Sequence, residues 1–457
     1  MLWDHLRCAH SGTTDGTTSW PGLSGACFAG NARVSWSHGT PPLLVRSERE
    51  RGPCSDARSS VGGERERPSR DALAIVPASR TGRTLLAYAV TAVPLPPFPI
   101  PNTAIRAGLA LRSGVLGLAD RMLPAEAALW DFAAGMQRTK LAGVLVTSGL
   151  ADALGAGARD AREVARELGL SEEVTLRVLG AAAASRLVHL DREGRARLAR
   201  LGAPLRSDHP RSVASWVAYQ AAPANAAAHA EIEHQLREGA EPSGHRRAFG
   251  DSIWDYFGEH PDEGARFGDA MRQLTAIELA ALAHAYPWPR EGVICDVAGG
   301  IGTLLAAILE RREGARGILL DAPEVLAEAE DFLRSRGVAD RVERRAGDLF
   351  SEIDARADVY VLKWILHDWS DNACRDILRR VRATMPTGSR IVAIDQHLER
   401  NRPNPISSMV DLLMLVGCEG GRERSPDEVH GLMRDAGLAP GRVRHAGLHM
   451  VVEGVAE

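Results

Sequence analysis

Lysine is nearly absent from this 457-residue chain: of 55 basic residues, only Lys140 and Lys363 are lysine and the rest are arginine. With the abundant alanine, that bias points to a GC-rich, bacterial coding sequence. No run of 18 uncharged apolar residues occurs, which excludes a helical membrane span. The start, Met1-Leu-Trp-Asp-His, lacks a basic segment followed by an apolar one, so no secretory signal is expected. The six cysteines, Cys8, Cys27, Cys54, Cys295, Cys374 and Cys418, show no paired metal-ligand spacing. They read as free thiols in a reducing cytoplasm, with no metal. A net charge of -4 gives no reason to expect nucleic acid or an anionic membrane as partner.

What remains is the composition of a globular protein, 45% hydrophobic and 25% charged, at a length that suits two or three domains. Residues 1–103 do not read as one of them. The stretch Arg46–Arg70 is mostly arginine, glutamate, serine and glycine, too polar to offset its ordering entropy. The proline-rich run Pro94–Pro101 forbids a regular helix or central strand. Residues 1–103 are therefore expected to be a disordered extension or an over-long reading frame; an apolar arm at 84–93 packing on the following domain is the alternative.

Residues 104–290 carry helical periodicity. Ala127–Met136 and Lys140–Leu154 have apolar residues three and four apart. A short helix at Ala161–Leu168 closes at Gly169, and Ser171 caps the next, which has Glu172 and Glu173 in its first turn. A hairpin over Leu187–Ala199, turning at Asp191–Gly194, completes a winged-helix pattern. Its recognition helix holds Arg177 and Arg186 against two glutamates, and phosphate contact needs denser positive charge. Dimerisation and covering of a substrate fit this domain better than DNA binding.

From 291 to 457 strands alternate with helices. Strands are expected at Val293–Val297, Gly317–Asp321, Arg341–Ala346, Ala357–Leu362 and Ser389–Asp395, with helices between them and a closing hairpin around Val443 and His449–Val455. The fold class is α/β: a doubly wound, Rossmann-like sheet preceded by the all-helical domain. Ligands bind such sheets beyond the carboxyl ends of the strands.

The first strand ends in Asp296-Val-Ala-Gly-Gly-Ile-Gly302, and Gly299, Gly300 and Gly302 let a ligand approach backbone N–H groups at a helix start. The dinucleotide fingerprint fails, since Leu305 stands where its third glycine would be. No lysine follows as a nucleotide-hydrolysis loop would require. Asp321, after strand two, suits a ribose diol; Asp348, after strand three, suits an adenine amino group, with Leu349 and Phe350 beside the ring. A glycine loop and two acids for an adenosine without phosphates point to S-adenosylmethionine.

His367 lies in Leu362-Lys-Trp-Ile-Leu-His-Asp-Trp-Ser-Asp371, at the rim after strand four, where a neutral imidazole could take a proton from an attacking hydroxyl. With a histidine near its ordinary pKa of about 6.5 and a phenol near about 10, proton removal has to accompany attack.

This block resembles the catalytic signature of the plant-type and bacterial small-molecule O-methyltransferases, which include caffeate, hydroxyindole and polyketide-tailoring enzymes. Asp411-Leu-Leu-Met-Leu415 followed by Gly420-Gly-Arg-Glu-Arg424 resembles a second signature, in register. The resemblance implies that His367 is the base, flanked by Asp395 and Glu423, and that Gly300, Asp321, Asp348, Leu349 and Lys363 contact the cofactor. It implies a homodimer joined through the helical domain, acting on a hydroxyl of a small aromatic or polyketide-like molecule. Trp254, Phe257 and Met271 match the family's substrate wall, and Met414 of the second signature is placed with them. Two positions depart from the pattern. Ala298 replaces the first of three glycines, tolerable if that residue keeps an ordinary backbone angle. Asp395 stands for a glutamate, and its shorter side chain makes Glu423 the stronger partner for His367. Two rival functions share this fold: a relative that methylates nitrogen or carbon or has left methyl transfer, and a DNA-binding regulator with a degenerate catalytic half.

Overall fold

The computed structural model describes residues 102–457 except 352, 399–400 and 402–403, all within one unit, Arg83–Glu457. The expectation for the extension at 1–103 falls almost wholly outside the described residues. From Asn102 to Glu259 the chain is a 20-residue helix, Asn102–Arg121, then shorter helices and a small sheet. The helical pattern at Ala127–Met136 divides into Ala125–Ala133 and Gly135–Thr147. Asp160 caps the helix Ala161–Glu167 by accepting from two backbone N–H groups, and Ser171 caps Glu172–Ala184. The strands β1 (Arg159–Asp160), β2 (Val188–Leu190) and β3 (Arg195–Leu198) form an antiparallel sheet ordered β1-β3-β2 beside those helices. Leu145, Leu150, Val164, Leu179 and Val188 close its core.

A 25-residue helix, Pro261–Ala285, packs on both the helix Ala214–Gln220 and the helix Thr303–Leu309, and so joins the helical half to the sheet. Proline at its first position and Asp262 and Glu263 in its first turn start it favourably.

The large sheet contains β4 (Glu291–Val297), β5 (Gly314–Asp321), β6 (Val342–Ala346), β7 (Val359–Lys363), β8 (Arg390–Gln396), β9 (Ala439–Ala446) and β10 (His449–Val455). Its order is β6-β5-β4-β7-β8-β10-β9, parallel from β6 to β8, with β10 antiparallel to both β8 and β9. The order reverses between β5 and β7 around β4, which opens a crevice at the carboxyl end of β4. All five parallel strands and the closing hairpin stand where the sequence places them, to within a few residues. Central strands read as continuous apolar runs because both faces are covered: Cys295, Val297, Tyr360 and Leu362 pack on one side, Ile294, Val359 and Val361 on the other. Among the described residues no helix is long and apolar enough to cross a membrane.

Candidate active site

The glycine loop leaves β4 at its carboxyl end. Gly299 runs so close to the sheet that a Cβ there would lie 2.5 Å from the Asp296 carboxyl carbon and 2.7 Å from Leu319 Cδ1. Asp321, at the end of β5, accepts from the Gly300 N–H at 2.7 Å and from the Ala322 N–H at 2.8 Å. Each of its oxygens uses one lone pair on the loop and keeps another for a ligand.

Ala298 corrects the expectation made for it. It adopts φ +52°, the left-handed conformation that favours glycine. The chain turns here whether or not the residue is glycine, because Asp296 and Gly299 on either side are fixed by the sheet. Left-handed backbone costs about 1–2 kcal/mol at alanine, and glycine returns part of the difference as chain entropy. Ala298→Gly is therefore expected to stabilise the protein by roughly 0.5–1 kcal/mol, a rise of about 1–2 °C in Tm by calorimetry. An unchanged or lower Tm would mean that the alanine methyl, which packs against the sheet core, outweighs the strain.

Lys363 ends β7 beside this loop. Its ammonium donates to Thr275 Oγ1 at 3.0 Å, lies 3.9 Å from Glu278 Oε2 and sits over the Trp364 ring, 3.2 Å from its centroid. Burial pushes Lys363 down to about 8 and pushes Asp296 and Glu278 up to about 7. Asp296 Oδ2, Glu278 Oε2 and Trp364 Nε1 are buried without a hydrogen-bond partner. The Lys363 ammonium, already engaged by Thr275 and Glu278, and these three unpartnered atoms form a polar wall with the glycine loop and Asp321. Asp348, Leu349 and Phe350 follow β6 along the same wall, with the Asp348 carboxylate fixed by the Phe350 N–H at 3.0 Å. Nothing in the sequence singled out Thr275 or Glu278, which are ordinary helix residues until the helix Pro261–Ala285 lies across β7.

His367 sits on a single tight turn, Leu366–Asp368, and is buried. Its Nδ1 is 2.7 Å from Glu423 Oε1, and its Nε2 faces Asp368 Oδ1 at 3.5 Å. Glu423 is fully buried, and its own backbone N–H is held by Asp411 at 2.8 Å. Burial works to lower the imidazole pKa, but the charges of Glu423 and Asp368 and the Glu423 hydrogen bond outweigh it and raise the group to about 10. The ordinary value of about 6.5 assumed from sequence thus does not apply. Asp395, at the end of β8, is buried with Oδ1 unpartnered, and burial raises its pKa. It acts on His367 through charge, while Glu423 makes the hydrogen bond.

His367, Asp368, Lys363, Asp296, Asp321 and the glycine loop line one cavity of about 2280 Å³, while Glu423 and Asp395 lie behind its wall. Trp254, Phe257, Met271 and Met414 all stand in its wall, joined by Tyr219, Phe267 and Trp369. Trp254 stacks on Trp369 with centroids 6.0 Å apart, and Phe257 stacks on Phe267 at 5.0 Å. Cys418 closes the wall beside Asp368, its thiol 3.5 Å from Asp368 Oδ1. Phe267, Trp369 and Cys418 were not marked in the sequence, although Trp369 lies in the histidine block.

Comparison with known proteins decides the family. Residues 229–439 match the O-methyltransferase domain. The O-demethylpuromycin-O-methyltransferase of Streptomyces alboniger is 37% identical over 300 residues, which cover 65% of this chain and 79% of that protein. The chain belongs to the O-methyltransferase family. Among solved structures, the mitomycin 7-O-methyltransferase matches with a TM-score of 0.68 and 34% identity, over 73% of this chain and 98% of that one. A methyltransferase of calicheamicin biosynthesis, solved with S-adenosylhomocysteine bound, matches at TM-score 0.63 and 30% identity, over 73% and 98% of the two chains. This O-methyltransferase uses S-adenosylmethionine, and its large sheet is the family's Rossmann-like domain.

Proposed function

We propose that this O-methyltransferase methylates an aromatic hydroxyl with His367 as base. The observation that carries the reading is the buried Glu423–His367 pair at the edge of an aromatic cavity. Bound S-adenosylmethionine supplies a methyl group activated by its sulfonium. Glu423 accepts the Nδ1–H, which fixes the tautomer and leaves the Nε2 lone pair for the substrate proton. As oxygen attacks, the proton passes to Nε2, and Glu423 and Asp368 stabilise the imidazolium. A histidine raised to about 10 matches a phenol near about 10, so proton transfer between them is close to balanced. The aromatic walls orient a planar substrate, which holds oxygen near attack geometry. Incubation with methyl-labelled S-adenosylmethionine and a panel of phenolic polyketides, indoles and phenylpropanoids should give labelled aryl methyl ethers. Label found only on nitrogen or carbon products would overturn the reading.

The same reading includes a homodimer. Leu118, Met122, Trp130, Phe132 and Met136 are each more than three-fifths exposed, and no residue of Ala125–Ala133 is buried. Large apolar side chains exposed on successive helices mark an interface, and we assign it to a second copy. Trp130→Glu with Phe132→Glu is expected to convert the dimer to a monomer in light scattering and to lower turnover. A double variant that remains dimeric would place the interface elsewhere.

A further inference from the structure

We infer that Arg424 is a positioning residue for the base, holding the turn that carries His367; this rests on the assignment of His367 above. Arg424 is 2% exposed, the largest fully buried side chain among the described residues. A buried guanidinium has to find acceptors for five N–H donors. Here they are found in the catalytic turn. Nη1 donates to the Leu366 carbonyl at 2.5 Å and to the Arg422 carbonyl at 3.3 Å. Nη2 donates to the Trp369 carbonyl at 2.7 Å and to Asp371 Oδ1 at 2.8 Å, and Nε donates to the same oxygen at 3.0 Å.

The turn needs such restraint. Leu366–Asp368 is one turn of 3-10 helix, too short to fix its own conformation. It follows Trp364, a bulky residue at φ +57°, a conformation that persists only where surroundings impose it. The restraint comes from one segment. The Arg422 N–H donates to the His367 carbonyl at 2.8 Å, and the Glu423 carboxylate takes His367 Nδ1. Arg424 grips the carbonyls of Leu366 and Trp369, on either side. Gly421 makes the approach feasible, since a Cβ there would lie 2.9 Å from the His367 carbonyl oxygen. The two segments are thus stapled at four successive points around the imidazole. Asp371, at the start of the following helix, anchors both Arg422 and Arg424. Arginine suits this position because its fork spans three directions from one plane, which a single ammonium cannot.

The test is Arg424→Lys, with Arg424→Gln as a second variant should the first not fold. S-adenosylhomocysteine affinity by calorimetry is expected to stay within twofold, because Arg424 touches none of the cofactor groups. kcat should fall at least tenfold. The rising limb of the pH–rate profile should shift to lower pH, as Glu423 loses its hold on the imidazole. A double-mutant cycle with His367→Ala separates the inference from its premise. If Arg424 acts through His367, the double variant is no slower than His367→Ala alone. Wild-type kcat and pH profile in the Arg424 variants, or additive losses in the cycle, would overturn the positioning role. A His367→Ala protein with wild-type turnover would instead overturn the base itself.

Discussion

Replacing His367 with alanine is expected to lower kcat by about a hundred- to ten-thousandfold, the usual range for loss of a general base, while S-adenosylhomocysteine binding stays near wild type. The two effects separate because the close polar contacts of His367 are with Glu423 and Asp368, not with the glycine loop. Initial rates and calorimetry on the same preparation measure both. The wild-type pH profile checks the same assignment. The base acts when neutral, and its pKa is raised to about 10. For a substrate hydroxyl that ionises in the same range, kcat/KM should therefore climb about tenfold per pH unit from 7 toward 9. Glu423→Gln removes the charge that does most to raise the group, so this limb should move toward neutral pH. A flat profile between pH 7 and 9, or alanine turnover equal to wild type, would contradict the base.

Replacing Asp321 with alanine is expected to weaken S-adenosylhomocysteine binding by about ten- to hundredfold, with kcat at saturating cofactor changed far less. A hydrogen bond to a charged group is worth about 1.5–3 kcal/mol, and we propose that the remaining lone pairs of Asp321 accept from ribose hydroxyls. The structure adds a second contribution. Both Asp321 oxygens also tie down the loop through Gly300 and Ala322, so the variant loses the loop's organisation with the contact. Asp321→Asn retains one acceptor oxygen and should fall between the two. Titration calorimetry measures all three proteins, and a dissociation constant within twofold of wild type for the alanine variant would remove Asp321 from the cofactor site.

The sequence by itself determined the sheet and the ligand class. Apolar runs at Val293–Val297 and Ala357–Leu362, punctuated by helices, leave little choice but a doubly wound sheet, because both faces of such strands must be covered. Asp296–Gly302, Asp321 and Asp348 follow successive strands, so one topology brings them to one rim. His367 was legible for the same reason, since its block directly follows a strand.

Tertiary structure decided what depends on distant segments meeting. Glu423 lies 56 residues from His367; the family resemblance and the side-chain lengths favoured it over Asp395, but the hydrogen bond itself exists only because Gly420–Ser425 packs on the catalytic turn. The basicity of His367 is likewise set by the balance of burial against neighbouring charges, neither of which has a sequence period. Ala298 took left-handed backbone because the surrounding loop left no other path, which its own preference would not foretell. Thr275 and Glu278 reached Lys363 only because a long helix crosses the end of β7. The hydrophobic period of that helix records which face is buried, but not which strand it covers.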